Sequence, residues 1–177
     1  MTLETTVIEN KVKEKFGDNV SDFRMEQDIL TFHALPVSIW DVISFMKNDE
    51  TLRFNFMTDL CGVHYPDNNE DAQFAVVYHL HNWVDNVRVR VKTFLDGKNP
   101  EVNTMSDIFA AANWMERETY DFYGINFIGH PNLKRILNDE GMVSFPMRKD
   151  HPLEDAGRTD KDDRFFGRTP NNYEPTK

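Results

Sequence analysis

Three histidines have a spacing that could support metal chemistry. His79 and His81 lie two residues apart in a predicted strand and therefore point to one face of a sheet, and His64 could approach from a neighbouring strand. Imidazole is a common ligand of zinc. No helical His-Glu-x-x-His motif or further ligand at a diagnostic spacing accompanies them. We therefore predict no metal site and keep a small metal-dependent enzyme as an alternative.

Basic residues form a second candidate site. Arg88, Arg90 and Lys92 alternate with valines and place positive charge on one face of a predicted strand. Such a stripe could contact phosphates or RNA, but no stacking aromatics are interleaved with it. With 20 Lys plus Arg against 30 Asp plus Glu, the net charge of -10 disfavours a nucleic-acid partner. The pattern is typical of a solvated sheet face or of a docking face for an acidic partner.

Paired carboxylates lie on a helix predicted from Met105 to about Tyr123. Glu118 and Asp121 could act as an acid and base pair, and Arg117 is expected to pair with Asp121 at the i, i+4 spacing. No nucleophile or metal-ligand set accompanies them. The single cysteine excludes a four-cysteine cluster built from this chain. We therefore predict no catalytic and no cofactor-binding residue.

These side chains belong to a predicted α+β domain. Amphipathic spacing predicts three helices, at about 7–16, 38–49 and 105–123. Runs that favour β structure predict five strands, at about 20–25, 29–35, 54–63, 74–83 and 87–92. Ser38 and Asp41 form a capping box for the second helix, and Gly17 and Gly124 end the first and third. The order helix, two strands, helix, three strands, helix is typical of a two-layer sheet-and-helix domain.

The composition changes towards the C-terminus. Residues 150–177 are rich in charged and turn-forming residues and hold too little apolar material for a core. We divide the chain into an α+β domain, residues 1–137, and an extended C-terminal tail, residues 138–177, that is either disordered or ordered by docking on partner subunits. Phe165, Phe166 and Tyr173 are the predicted anchors of this tail.

Neither a signal peptide nor a membrane span is predicted. Glu4 and Glu9 lie where a signal peptide needs basic residues before an apolar run. No segment approaches about 18 consecutive apolar residues. We therefore expect a cytoplasmic protein, and if it works at a membrane, another protein holds it there.

A long charged and aromatic segment carries a family resemblance. The run from Glu116 to Leu137, followed by Pro146-Met-Arg-Lys-Asp150, resembles the signature of the 30 kDa subunit, or C subunit, of the proton-pumping NADH:quinone oxidoreductase, respiratory complex I. The matching positions are Glu116, Arg117, Glu118, Asp121, Gly124, His130, Pro131, Leu133 and Arg135. The stretch 141–145 departs from the family, which often has a Trp and a Gly before the proline.

The resemblance implies a non-catalytic structural and assembly role. The family subunit binds no flavin, cluster or quinone, packs against the D and B subunits and reaches toward the G subunit. FMN, iron–sulfur clusters, NADH and quinone belong to other subunits of the complex. By this resemblance a set of charged residues would order the junction with partners: Glu116, Arg117, Glu118, Asp121, His130 and Arg135. Arg148 and Lys149 would dock the tail, and the chain would lie peripherally on the cytoplasmic face of a bacterial inner membrane.

A second interpretation stays open within the same resemblance. The equivalent subunit occurs in relatives that take electrons from ferredoxin or a reduced deazaflavin, and in membrane-bound hydrogenases. Because the scaffold does not touch the electron donor, the residues quoted above do not separate these complexes.

Overall fold

The structure, a computed structural model, describes residues 3–150. Its helices are α1 (Thr5–Phe16), α2 (Ile39–Asn48) and α3 (Ala112–Tyr123). Its strands are β1 (Val20–Glu26), β2 (Ile29–Ala34), β3 (Phe56–His64), β4 (Phe74–Asn82), β5 (Val87–Leu95), β6 (Glu101–Asn103) and β7 (Asn126–Ile128). The predicted α+β class is confirmed. The structure adds β6 and β7, a short parallel pair that the sequence did not predict.

The main sheet has five strands in the order β1-β2-β5-β4-β3. Strands β2 and β5 pair in parallel, and the other neighbours are antiparallel. The predicted hairpin of β1 and β2 is present. The predicted turn between β4 and β5 is also present, where the Asn82 side-chain oxygen accepts the N–H groups of Val84 and Asp85 at 2.9 and 3.0 Å. Local side-chain bonding therefore fixes this hairpin.

The two faces of the main sheet have different environments. Because side chains alternate along a strand, one face packs against the helices. The core shared by that face and the helices includes Ile8, Val12, Leu30, Phe32, Ile43, Met46, Tyr78, Leu80, Val89 and Val91. The opposite face carries Thr31, Ala75, Val77, His79, His81, Arg88, Arg90 and Lys92. We call it the open face, since its histidines and basic side chains are partly or fully exposed. Its buried residues Ala75 and Val77 do not belong to the core cluster.

Two local predictions about the helices are wrong. Helix α3 begins at Ala112 rather than at Met105: residues 105–109 form a single turn, in which the Met105 carbonyl accepts the N–H groups of Ile108 and Phe109 and the Met105 N–H bonds to the Glu116 side chain. The capping box at Ser38 does not form, and its hydroxyl donates instead to the carbonyl of Leu35 at 3.2 Å. Both segments satisfy their backbone groups through contacts that sequence spacing does not reveal.

Helix α3 lies close to the edge strand β3 at a glycine. A Cβ on Gly62 would lie 2.7 Å from Cδ2 of Tyr123 and 2.9 Å from Cγ2 of Thr119. Both distances are shorter than van der Waals contact. The absence of a side chain at position 62 therefore sets how closely α3 approaches the sheet.

Replacing Gly62 with alanine should lower the free energy of unfolding by about 1 to 3 kcal/mol, because the added methyl group displaces two packed side chains. Urea unfolding followed by circular dichroism measures the change. Gly141→Ala is the matched control. Its Cβ would meet the movable carboxylate of Asp139 at 3.1 Å, and we expect a change within about 0.5 kcal/mol. Equal losses in the two variants would contradict this packing.

Candidate functional site

A single carboxylate organises the segment that follows α3. Oδ2 of Asp121 accepts the backbone N–H groups of Ile136, Leu137 and Asn138 at 2.8 to 3.0 Å. Its Oδ1 accepts Nη1 of Arg135 at 2.8 Å and Nδ2 of Asn138 at 3.1 Å. The Asp121 side chain is fully buried. We call Asp121, Arg135 and the amides of residues 136–138 the Asp121 clamp, because they fold the chain back onto the last turn of α3.

Two arginines connect this segment through main-chain oxygens. Nη2 of Arg135 donates to the carbonyls of Met142 and Ser144 at 2.7 and 3.0 Å. Arg117 donates to the carbonyls of Lys134 and Arg135 at 3.1 and 3.2 Å. A guanidinium offers several donors in a fixed plane, so each arginine joins positions that are distant in the chain. The path after α3 is thereby determined by α3 itself.

The described chain then returns to the C-terminal end of α3. Nε of Arg148 donates to the Tyr123 carbonyl at 2.7 Å. The helix ends at Gly124, whose φ of 72° is left-handed, and a Cβ there would lie 2.5 Å from Cε2 of Phe145. Glycine is required both for this conformation and for this close approach. Phe145, Met147 and Arg148 contact the last turn of α3. The division of the chain at 137 stays a prediction because residues 151–177 lie outside the described part.

Hydrogen bonding keeps Asp121 ionised. Burial alone would raise the pKa of Asp121, but hydrogen bonds from the Asn138 and Leu137 amides and from Arg135 outweigh it and hold that pKa well below its usual range. The stabilisation from this carboxylate is therefore present above its unfolded pKa of about 4 and is lost as the pH falls through the lower folded value.

A second buried carboxylate, that of Glu116, has a contrasting environment. It accepts Oγ1 of Thr104 and the N–H of Met105, each at 2.5 Å. Burial raises the pKa of Glu116 to about 7, more than these two hydrogen bonds lower it. Oε2 lies 4.0 Å from Nε2 of His130. The carboxylate therefore changes its protonation near neutral pH without access to solvent.

Two further polar side chains, His130 and Tyr78, lie near Glu116. The Asn132 N–H donates to Nδ1 of His130 at 3.0 Å, so the ring proton lies on Nε2 and bonds to the Asn113 carbonyl at 3.0 Å. The hydroxyl of Tyr78 is buried without a hydrogen-bond partner among the described residues. Burial, followed by the charge of Glu116, raises the pKa of Tyr78. We call Glu116, Thr104, His130 and Tyr78 the Glu116 cluster.

The structure brings together part of the predicted site. Asp121 and Arg135 form the clamp, Glu116 and His130 lie in the adjacent cluster, and Arg148 joins the end of α3. Glu118 and Lys149 are exposed. Phe165, Phe166 and Tyr173 lie outside the described residues. That these side chains meet partner subunits stays a prediction.

The predicted ion pair between Arg117 and Asp121 is wrong. Asp121 pairs with Arg135, and Arg117 bonds to carbonyls beyond the helix. An i, i+4 pair on a helix surface contributes little, whereas a buried carboxylate needs every lone pair satisfied. The tertiary partner therefore prevails over the local one.

The three histidines do not converge on one point. His79 and His81 share the open face as predicted, and Nε2 of His79 accepts Nε of Arg90 at 2.8 Å. His64 lies at the far end of β3, where its Nδ1 accepts the N–H of Lys149 at 2.9 Å. Within residues 3–150, no group of three or more His, Cys, Asp or Glu is arranged to hold a metal ion.

Sequence reasoning missed several groups of this site. Tyr78 and Phe145 reach α3 from other parts of the chain, and no spacing signal links them to it. Asn138 closes the clamp by two hydrogen bonds. Asn138 comes directly after the run from Glu116 to Leu137 that carries the family resemblance. Because asparagine side chains often bond backbone groups in turns, its position is a signal that could have identified it.

The fold recurs in two solved structures. One is the trypsin-resistant fragment (1-134) of Nqo5, with a TM-score of 0.61 and 27% identity, covering 72% of this chain and 98% of that chain. The other belongs to the membrane-bound sulfane sulfur reductase, an archaeal respiratory membrane complex, with a TM-score of 0.68 and 27% identity, covering 84% and 85%. The fold thus defines a class of α+β chains that includes one chain of a respiratory membrane complex.

Sequence comparison identifies the family within this class. The chain is 40% identical over 176 residues to C subunit 2 of the NADH-quinone oxidoreductase of Rhizobium etli, covering 99% of this chain and 91% of the relative. It is 36% identical over 172 residues to the C subunit of the enzyme from Roseiflexus sp., covering 96% and 98%. The family model for the 30 kDa subunit of respiratory-chain NADH dehydrogenase matches residues 32–157. The chain belongs to this family, which confirms the resemblance.

Asp121→Asn should open the clamp. The added amide N–H groups face donors, so about 1 to 3 kcal/mol of local stability is lost and the amides of residues 136–138 exchange about tenfold to hundredfold faster. Hydrogen exchange resolved by mass spectrometry measures this. Asp139→Asn is the matched control, because its exposed carboxylate accepts one amide, that of Gly141, in the same segment. Unchanged exchange at 136–138 would contradict the clamp.

Glu116→Gln should reduce the pH dependence of stability. The folded protein binds the Glu116 proton more tightly than the unfolded chain does, so this stabilisation is complete below about pH 4.5 and is lost as the pH rises through about 7. From pH 5 to pH 8 the parent should therefore lose about 3 kcal/mol of unfolding free energy that the variant does not lose. Glu118→Gln, which removes an exposed carboxylate from α3, is the control. Parallel curves for Glu116→Gln and parent would contradict the buried carboxyl.

Proposed function

We propose that this chain is a structural and assembly subunit of the peripheral arm of a proton-pumping NADH:quinone oxidoreductase, where it supports the quinone-reducing module. The observation that carries the proposal is the Asp121 clamp. Charged residues of the family signature bond within the chain and fix its surface, instead of converging on a substrate-sized site. A rigid surface is what a scaffold requires.

The chemistry of the described side chains supports a role outside catalysis. Burial raises the pKa of the Cys61 thiol to about 11, so the thiol stays protonated and unreactive near neutral pH. Glu116 titrates near neutrality but is fully buried and cannot touch a substrate. Asp121 has its oxygens occupied by five hydrogen bonds. Cys61, Glu116 and Asp121 are thus protonated, buried or fully hydrogen-bonded within the chain, and none of them is available for proton transfer to a substrate or for nucleophilic attack.

The proposal extends to cofactors, partners and location. The chain binds no cofactor itself, and FMN, iron–sulfur clusters, NADH and quinone are bound by other subunits. It packs against the D and B subunits and reaches toward the G subunit. Among residues 3–150, no helix has the length and apolar character needed to cross a bilayer. In this proposal the chain is held peripherally at the cytoplasmic face of a bacterial inner membrane by those partners.

A second candidate is the equivalent subunit of a complex with another electron donor, such as ferredoxin or a reduced deazaflavin, or of a membrane-bound hydrogenase. The likeness to a chain of the sulfane sulfur reductase favours it, because the fold also occurs in that respiratory complex. A free-standing metal-dependent enzyme has no comparable support, since His64 on β3 pairs with Phe74 at one end of β4, whereas His79 and His81 lie towards the other end of β4.

Assembly and turnover separate under mutation if the chain is a scaffold. The tagged full chain is expressed in its native host, membranes are solubilised in mild detergent, and bound subunits are quantified by mass spectrometry. Arg135→Ala breaks a buried pair and should reduce the recovered complex about tenfold or more. NADH:quinone reductase activity per assembled complex should stay unchanged. Arg53→Ala, which removes a more exposed pair with Asp85, should retain assembly.

Two results would contradict the proposal. Normal assembly of the Arg135→Ala complex with a lost turnover would indicate a catalytic role. Recovery of the parent chain without iron–sulfur and membrane subunits would exclude a subunit role altogether. A complete complex that reduces quinone with a different donor, and not with NADH, would select the second candidate.

A further inference from the structure

The open face carries charged and aromatic groups that the Asp121 clamp does not use. We call Phe56, His81, Trp83 and Arg88 the corner surface, because they lie where β3, β4 and β5 meet the β4–β5 turn. Phe56 pairs with His81, and His81 pairs with Arg88, so the three follow one another across the strands. Cross-strand neighbours project to the same side of a sheet.

Two aromatic rings of the corner surface are exposed. Trp83 is 61% exposed and Phe56 is 40% exposed. Their ring centroids lie 5.2 Å apart in an edge-to-face arrangement, and the Trp83 ring also stacks on His81 at 5.8 Å. Val84, at 68% exposure, extends the same apolar area into the turn. Tryptophan is enriched at the centre of protein interfaces, where its large surface leaves water.

Positive charge lies beside these rings. Glu26 accepts Arg90 and Lys92 at 3.2 and 3.0 Å and also Arg24 at 2.7 Å, and hydrogen bonding from Lys92 and Arg24 lowers the pKa of Glu26 to about 2. Arg90 and Lys92 thus share one carboxylate with Arg24, which also pairs with Asp22. Arg88 is exposed and forms no ion pair within residues 3–150. On a chain of net charge -10, this part of the open face has a surplus of positive charge.

We infer that the corner surface and the adjacent basic row, Arg90 and Lys92, dock an acidic segment of another subunit. Carboxylates of that segment pair with Arg88 and the basic row, and one of its apolar side chains covers Trp83. This inference rests on the proposed function, because it identifies the partner as a subunit of the same complex. Charge complementarity then steers the encounter, while the aromatic pair supplies the apolar contact.

The surface fits an acidic polypeptide better than a nucleic acid or an anionic membrane. The carboxylates Asp22, Glu26 and Asp59 lie among the cations and repel an unbroken row of phosphates. The net charge of the chain adds to this repulsion. Exposed Trp83 and Phe56 need an apolar side chain opposite them, which a polypeptide provides.

Photo-crosslinking in the assembled complex tests the inference. A photoreactive amino acid replaces Val84 in the tagged full chain, the complex is purified from native membranes after irradiation, and crosslinked peptides are sequenced. The inference predicts a crosslink to an Asp- and Glu-rich segment of another subunit. In a complete complex, crosslinks solely to residues 151–177, solely to a second copy of this chain, or to nothing would overturn it. Recovery of the chain free of other subunits would instead contradict the proposed function.

Charge reversal supplies an independent readout. Arg88→Glu should lower the retention of the chain in the complex about tenfold at moderate salt, whereas Arg88→Lys should preserve it. Lys98→Glu is the matched control, since Lys98 is exposed on the loop after β5 and its side chain is 79% accessible. Equal retention of Arg88→Glu and Lys98→Glu would overturn the inference even with assembly intact.

Discussion

The buried carboxylate of Asp121 is the interaction on which the rest of the described structure depends. A carboxylate in the last turn of a helix is disfavoured by the helix dipole and, when buried, by the loss of hydration. Three backbone amides, Asn138 and Arg135 compensate for both effects. The chain after α3 must therefore adopt the one path that delivers these donors, and Gly124 permits the reversal that this path requires.

The clamp is coupled to the sheet through α3. Gly62 lets the helix approach β3 closely, and the charge of Glu116 on the same helix helps to raise the pKa of Tyr78 from β4. The segment after α3 and the main sheet therefore have a fixed relative orientation. The open face lies on the other side of that sheet from the helices, so the protein presents surfaces on two sides of one small body. Such an arrangement suits a subunit that holds neighbours together.

Local patterns in the sequence predicted much of the fold. The alternation of valine with basic residues identified β5, and Gly17 and Gly124 marked the ends of two helices, because each pattern acts within a few residues. The start of α3 and the partner of Asp121 could not be predicted in this way. Both depend on side chains that bond to residues distant in the chain. The sequence distance between a buried carboxylate and its partners follows no fixed spacing that a local pattern could reveal. The sequence therefore identified residues of the candidate site but not the bonds between them.

Cryo-electron microscopy of the complex that contains this chain, purified from native membranes, would test the central claim most directly. Our account predicts that Oδ2 of Asp121 accepts the amides of residues 136–138 of the same chain in the assembled state, and that every cofactor is bound by other subunits. Asp121 or Arg135 bonded to another subunit in place of these intrachain partners, or a cofactor held by this chain, would contradict the account.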